Sequence, residues 1–276
     1  MLKQRIITAV CLLAVFLPAL VHPSPVFFGG LTLLLIAASG WEWARMLGAG
    51  AALSWGSGLL VSLVLAALMF AGVELHWRVV WLTAAAAWVL LSVWMLARGV
   101  GGWTDWPSCL RLGLGLALLV LSGAAFWQAR LQGWVFLLSI LALVWTADVA
   151  AYFGGKRWGK RKLAPMLSPG KTWAGAISGL AAVLFLASVW LALESVNPAN
   201  SPSLFARLWD WGPWMAVLAL VFLTTMAVVG DLLESLVKRS AGLKDSSGLL
   251  PGHGGVLDRV DALLPVLPLA MMLMSL

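Results

Sequence analysis

Hydrophobic positions along this chain run on for long stretches instead of alternating with polar ones. Residues 53–73, 79–97, 112–127, 174–193 and 212–230 contain no Asp, Glu, Lys or Arg. About 20 apolar residues in a helix cross the ~30 Å hydrocarbon layer of a bilayer. Inside that layer a helix satisfies its own backbone hydrogen bonds, which an open strand cannot. The pattern predicts nine spans: 6–22, 26–39, 53–73, 78–97, 111–127, 132–153, 173–193, 213–234 and 260–276. The second and ninth are short, which tilting, kinking or partial insertion accommodates. His22-Pro23-Ser24-Pro25 separates the first two, because Pro cannot continue a helix and restricts the residue before it. A polar cluster at 195–203 marks another connection. The expected fold is all-α, a polytopic transmembrane bundle in two parts, residues 1–130 as N-terminal scaffold and 131–276 holding the two large basic pieces.

Composition agrees with this and removes a soluble alternative. Of 276 residues, 62% are hydrophobic and 11% charged, against about 25% charged in a soluble domain. There are 18 Trp and one Tyr. Trp41, Trp43, Trp55, Trp77, Trp81, Trp103, Trp106, Trp134, Trp158, Trp173, Trp211 and Trp214 fall near the ends of apolar runs, the interfacial level this side chain prefers. Trp88, Trp94 and Trp145 lie inside their runs and read as packing residues. Cys11 sits in an apolar run and Cys109 in a charged connection, so neither a disulfide nor a zinc site is expected. Residues 2–21 have the look of a secretory signal, with Lys3 and Arg5 ahead of an apolar core. The following LVHPSP offers no small-x-small cleavage site and further spans follow, so the segment reads as a retained first helix.

Charge sets the expected orientation. With nine spans and the N-terminus in the cytoplasm, only Arg78, Arg130 and Arg207 of the 18 basic residues fall outside. The other fifteen fall inside, as the positive-inside rule requires. The large basic pieces 154–172 and 235–259 are then cytoplasmic. A positive face of this kind attracts anionic headgroups or solutes, although topology alone gives every inner-membrane protein some of it.

The acidic residues carry the chemistry. Asp148, Asp231, Glu234, Asp245, Asp258 and Asp261 lie in or beside those two pieces. An ionisable group at membrane depth is costly and should face a polar cavity; a helix end that reaches water is the plain alternative for Asp148. Asp148, Tyr152 and Lys156 follow one helix face at i, i+4 and i+8. Then GGKRWGKRKLAPMLSPGKTWAG supplies six cations with glycines, Ser168 and Thr172, a composition suited to polyphosphate. Its GKT lacks the glycine frame and preceding strand of a Walker loop. Asp258 and Asp261, three apart, should share a helix face and together with Asp231 offer hard oxygens for Mg²⁺. His253 sits between glycines beside these carboxylates, and the helix after His253-Gly254-Gly255 would present free N–H groups.

The stretch SLVKRSAGLKDSSGLLPGHGGVLDRVD resembles the signature of the phosphatidate cytidylyltransferases (CDP-diglyceride synthases). The resemblance lies in Ser235, Lys238, Arg239, Lys244, Asp245, Pro251, His253, Gly254, Gly255, Asp258, Arg259 and Asp261. Gly230-Asp231-Leu232, Asp148 with Ala151-Tyr152, Leu163-Ala164-Pro165 and Ser168-Pro-Gly-Lys-Thr-Trp extend it over about 145–265. The first half resembles the family only as generic membrane helices, Glu42-Trp43 included. Ala174 stands where the family usually has Glu or Gln, so that polar role is not carried over.

The resemblance implies an inner-membrane enzyme, with its active site on the cytoplasmic side, that transfers CMP from CTP to phosphatidate. It implies Mg²⁺ on Asp231, Asp258 and Asp261, and phosphates neutralised by Lys171, Lys238, Arg239, Lys244 and Arg259. Asp148, Tyr152, Lys156 and Ser168 would line the substrate site. Asp245 and His253 would orient Lys244 or the nucleophile. A homodimer stays open, and no nucleic-acid partner is expected. The rivals are a CTP-using polyprenol or phytol kinase, an enzyme acting on an isoprenoid ether lipid, and a transporter. The crowding of polar residues into one half speaks against the last, since transporters usually show matching halves.

Overall fold

The computed structural model describes residues 2–70, 76–197 and 201–276. Its helices are α1 (Leu2–Val21), α2 (Val26–Met46), α3 (Ala51–Phe70), α4 (Trp77–Thr104), α5 (Ser108–Leu131), α6 (Trp134–Trp158), α7 (Trp173–Val196), α8 (Leu204–Trp209), α9 (Pro213–Ser240), α10 (Leu257–Val260) and α11 (Leu263–Leu273). The all-α, polytopic expectation holds. Seven helices, α2 to α7 and α9, are long and apolar enough to cross a membrane, and two shorter apolar helices, Ile6–Val21 and Leu263–Met274, fall on the first and ninth predicted spans.

Three differences from the reading of the sequence bear on the site. The second span, expected to stop at 39, continues to Met46 and so carries Glu42 and Arg45. The segment 154–172 is not an open loop: α6 runs on to Trp158, and β1 (Lys162–Ala164) pairs antiparallel with β2 (Ser168–Thr172). The Thr172 hydroxyl then caps α7 by accepting a hydrogen bond from the Gly175 N–H at 3.1 Å. Residues 235–240 belong to the last turns of α9, so the second loop starts at Ala241. Apart from the hairpin, these differences lie at charged helix ends, which hydropathy reads as loop.

Packing explains the short C-terminal helix. α11 is enclosed by α4, α5, α6 and α9, and Val266, Leu267, Leu269 and Ala270 are buried within it. Lying inside the bundle, it does not have to match the bilayer by itself. α6 and α7 approach closely through small residues: a Cβ at Gly175 or Gly179 would stand 2.7 or 2.8 Å from the carbonyl oxygens of Ala151 and Ala147. α4 breaks at Gly99, whose φ of 65° only glycine adopts freely. The Trp expectations are split. Trp55, Trp158 and Trp214 are exposed as interfacial residues should be, whereas Trp81 and Trp103 are buried and Trp145 is exposed. Cys11 and Cys109 are free thiols.

The two ends of the bundle differ in chemistry. At one end Arg130 donates to the His22 carbonyl and Arg207 to the Gln132 side chain. At the other lie Arg45, the hairpin and the 241–257 loop, where the candidate site is built.

Candidate active site

The cytidylyl-type signature folds around a cation. Glu234 and Lys238 are one helical turn apart on α9, and Lys238 ion-pairs both with Glu234 and with Asp258, whose Oδ1 is 2.6 Å from Nζ. The other oxygen of Asp258 accepts hydrogen bonds from the Ser246 N–H (2.9 Å), the Ser246 hydroxyl (3.0 Å) and the Gly255 N–H (2.8 Å). This carboxylate is therefore saturated by the protein. Burial pushes its pKa up, but Lys238 and the Gly255 N–H more than offset that and hold it at about 2. A carboxyl lowered in this way contributes stability above the ordinary carboxylate range, and the contribution is lost only as pH falls through about 2.

A second acidic group lies beside the first. Lys171, on β2, is 2.7 Å from Asp231 and donates to the Val228 carbonyl at 3.4 Å. Asp148, Asp231 and Asp261 interact electrostatically with one another and with this single lysine. Asp261 accepts from the Ala262 N–H at 2.8 Å. Glu234 joins the two groups, since it feels both Asp258 and Asp261. Five carboxylates thus face two lysines, a surplus of negative charge made of hard oxygen donors, which suits a divalent cation.

The expected Mg²⁺ ligand set needs correction in its geometry. Among the described residues no group of three or more His, Cys, Asp or Glu side chains is arranged to hold a metal ion. Asp258 and Asp261 share one helical turn, since the Asp261 N–H still bonds the Leu257 carbonyl at 3.0 Å, but their side chains find different partners. Asp258 turns to Lys238 and the Ser246–Gly255 loop, whereas Asp261 turns to Asp231 and Asp148. In charge and donor type Asp231 and Asp261 fit the ion. Asp258 is held back by Lys238.

The other predicted residues gather less tightly. Arg239 reaches back to the Leu167 carbonyl in the hairpin (3.4 Å) and to Leu243 (3.4 Å), so it ties the two basic segments together. Arg259 donates to the His253 carbonyl at 2.7 Å. The His253 Nδ1 is buried and, among the described residues, without a hydrogen-bond partner. Lys244 and Asp245 are exposed. Tyr152 is open and packs edge-on against Phe153, Lys156 is exposed, and Ser168 is half-buried on β2.

One residue of the first half belongs here and was passed over. Glu42 on α2 is completely buried and accepts from Ser246, Ser247, Val256 and Leu257, more than 200 positions away. The available signal was a lone carboxylate within an otherwise apolar stretch, which deserves a functional reading by default.

The comparison with known proteins takes in nearly the whole chain. The model of the cytidylyltransferase family matches residues 3–276. The chain belongs to that family. Among its relatives, a Pseudomonas aeruginosa protein is 38% identical over 281 residues, covering 97% of this chain and 95% of the relative. A Haemophilus influenzae protein is 33% identical over 292 residues, covering 97% and 96%. A Brucella suis protein is 41% identical over 182 residues, 66% of this chain and 59% of the relative. Each is called a phosphatidate cytidylyltransferase. The cytidylyltransferase match takes in the first half of the chain, α2 included, which the signature segment alone did not.

Proposed function

We propose that this chain transfers CMP from CTP to phosphatidate, giving CDP-diacylglycerol and pyrophosphate. The observation that carries the reading is similarity along the entire length to relatives bearing that name. An oxygen of the lipid phosphate attacks the α-phosphorus of CTP, the bond to the bridging oxygen of the β-phosphate breaks, and pyrophosphate leaves. A phosphate monoester has its second pKa near ~6, so it is largely ionised at neutral pH and needs no strong base. What the protein has to supply is charge neutralisation and alignment of two polyanions. Lys171 and Arg239 join the hairpin to α9, Lys238 lies between Glu234 and Asp258, and Lys244 and Arg259 stand exposed. Asp231 and Asp261 would hold Mg²⁺, which when bound neutralises the triphosphate and the leaving pyrophosphate.

The lipid half of the substrate would lie in an apolar groove. This groove of about 400 Å³ is lined by Phe16, Ile36, Trp145 and Leu267 and also by His253 and Arg259. Apolar walls together with the Arg259 guanidinium suit a phosphorylated lipid. With CTP labelled in the base or α-phosphate, label should enter the organic phase only when phosphatidate is present. Appearance of the γ-label in lipid would instead establish a kinase.

The site is assigned to the cytoplasmic face of a bacterial-type inner membrane, in keeping with the collection of basic residues at the site end of the bundle. A C-terminal alkaline phosphatase fusion should then be active and a C-terminal GFP fusion dark. The reverse pattern would overturn this orientation.

A further inference from the structure

We infer that Glu42 is a positioning residue of the transferase site, fixing the backbone of the signature loop from within the first half of the chain. Its side chain is 0% exposed, so it cannot touch a substrate. Its Oε1 accepts from the Ser247 hydroxyl (2.5 Å) and the Val256 N–H (2.8 Å), and its Oε2 from the Ser246 hydroxyl (3.1 Å) and the Leu257 N–H (2.7 Å). All four partners donate, as suits an acceptor-only carboxylate. Arg45, one turn further along α2, grips the same loop by donating to the Ser246 carbonyl at 2.8 Å.

The loop is built to receive this group. A Cβ on Gly255 would collide with Ser246 and Glu42, so only glycine lets the chain close around the carboxylate, and the φ of 85° at Gly254 turns it there. Ser246 then passes the constraint on, since its hydroxyl is shared between Glu42 and Asp258. Gly255 and Ser246, both packed on Glu42, are the residues whose N–H groups hold Asp258. Displacing Glu42 therefore displaces Asp258, its partner Lys238 and the adjoining Arg259.

The test exploits a feature of the geometry. Each carboxylate oxygen faces one main-chain N–H, which cannot rotate away. In Glu42→Gln either flip of the amide points its NH₂ at one of these donors, so the usually mild substitution is severe here. The inference rests on the transferase reading, and two readouts keep them separable. In the first, kcat and KM for CTP and phosphatidate are measured per folded molecule, with the folded fraction taken from monodispersity and melting. Glu42→Gln should lower kcat by roughly a hundredfold with KM little changed, the signature of misplaced groups. In the second, trypsin cleavage after Lys244, which is exposed, is followed by mass spectrometry and should be faster in the folded variant. The cleavage readout decides the matter even if the wild-type chain proves inactive. Wild-type kcat per folded molecule, or cleavage at the wild-type rate, would overturn the inference. If Glu42→Gln does not fold, Ser247→Ala removes one of the four bonds and keeps the carboxylate. It should lower kcat about tenfold, and an unchanged kcat would overturn the inference equally.

Discussion

Asp261→Asn should lower the transfer rate about a hundredfold or more and at the same time leave the protein as stable as the wild type, or more so. Asp148, Asp231 and Asp261 repel one another electrostatically, with Lys171 as a cation among them. Like charges close together oppose one another, so replacing one by a neutral amide relieves the folded protein. Functional sites commonly accept such a cost in stability. If Asp231 and Asp261 hold Mg²⁺, removing one ligand should cost several kcal/mol of transition-state stabilisation, and each ~1.4 kcal/mol is tenfold in rate. Asp231→Asn should lose rate similarly, but it also gives up the 2.7 Å ion pair with Lys171 and so should gain less in melting temperature. Asp258→Asn should behave differently from both. Its Oδ2 takes two main-chain N–H groups and its Oδ1 faces Lys238 Nζ, so an amide meets a donor in either flip. That variant should lose melting temperature as well as rate. Melting curves and rates across a Mg²⁺ titration separate the three. A destabilised Asp261→Asn with normal turnover and normal Mg²⁺ dependence would rule out the ligand assignment.

Much of the bundle was legible because membrane helices advertise themselves through length and the absence of charge. What could not be read were the places where charge sits on a helix. Glu42 and Arg45 look like the end of a span, and Lys238 and Arg239 look like the beginning of a loop; both pairs lie on continuous helices. Hydropathy locates the apolar part of a helix but not how far it projects beyond the lipid. The signature segment named most of the residues that gather at the site but not how they pair. Spacing of three places Asp258 and Asp261 on one helical turn, but Lys238, Ser246 and Gly255 take up Asp258 alone. That Lys238 joins Glu234 to Asp258 depends on how the chain folds back over 20 residues, which no local pattern encodes. Glu42 is the extreme case: its partners lie 204 to 215 positions away.

Lys238→Met should be among the most damaging single changes in the molecule, and the manner of its rescue distinguishes structure from catalysis. The lysine side chain is 12% exposed, and both carboxylates it bridges, Glu234 and Asp258, are 5% exposed. Removing one member of a buried ion pair leaves the others charged and uncompensated, which typically costs about 3–5 kcal/mol. Methionine keeps the length and apolar stem of lysine, so packing is retained and the loss is electrostatic. Adding Glu234→Gln removes one of the two stranded charges, and the double variant should recover a large part of the lost melting temperature. It should not recover turnover. In the proposed reaction Lys238 has a second duty, to face the triphosphate, and methionine cannot perform it in any background. Stability and rate are therefore expected to part company in the double variant, with KM for CTP raised and kcat low in the folded protein. Restoration of both together would show that Lys238 serves only to hold Glu234 and Asp258 in place, and that the phosphates are met by Lys171, Arg239, Lys244 and Arg259 alone.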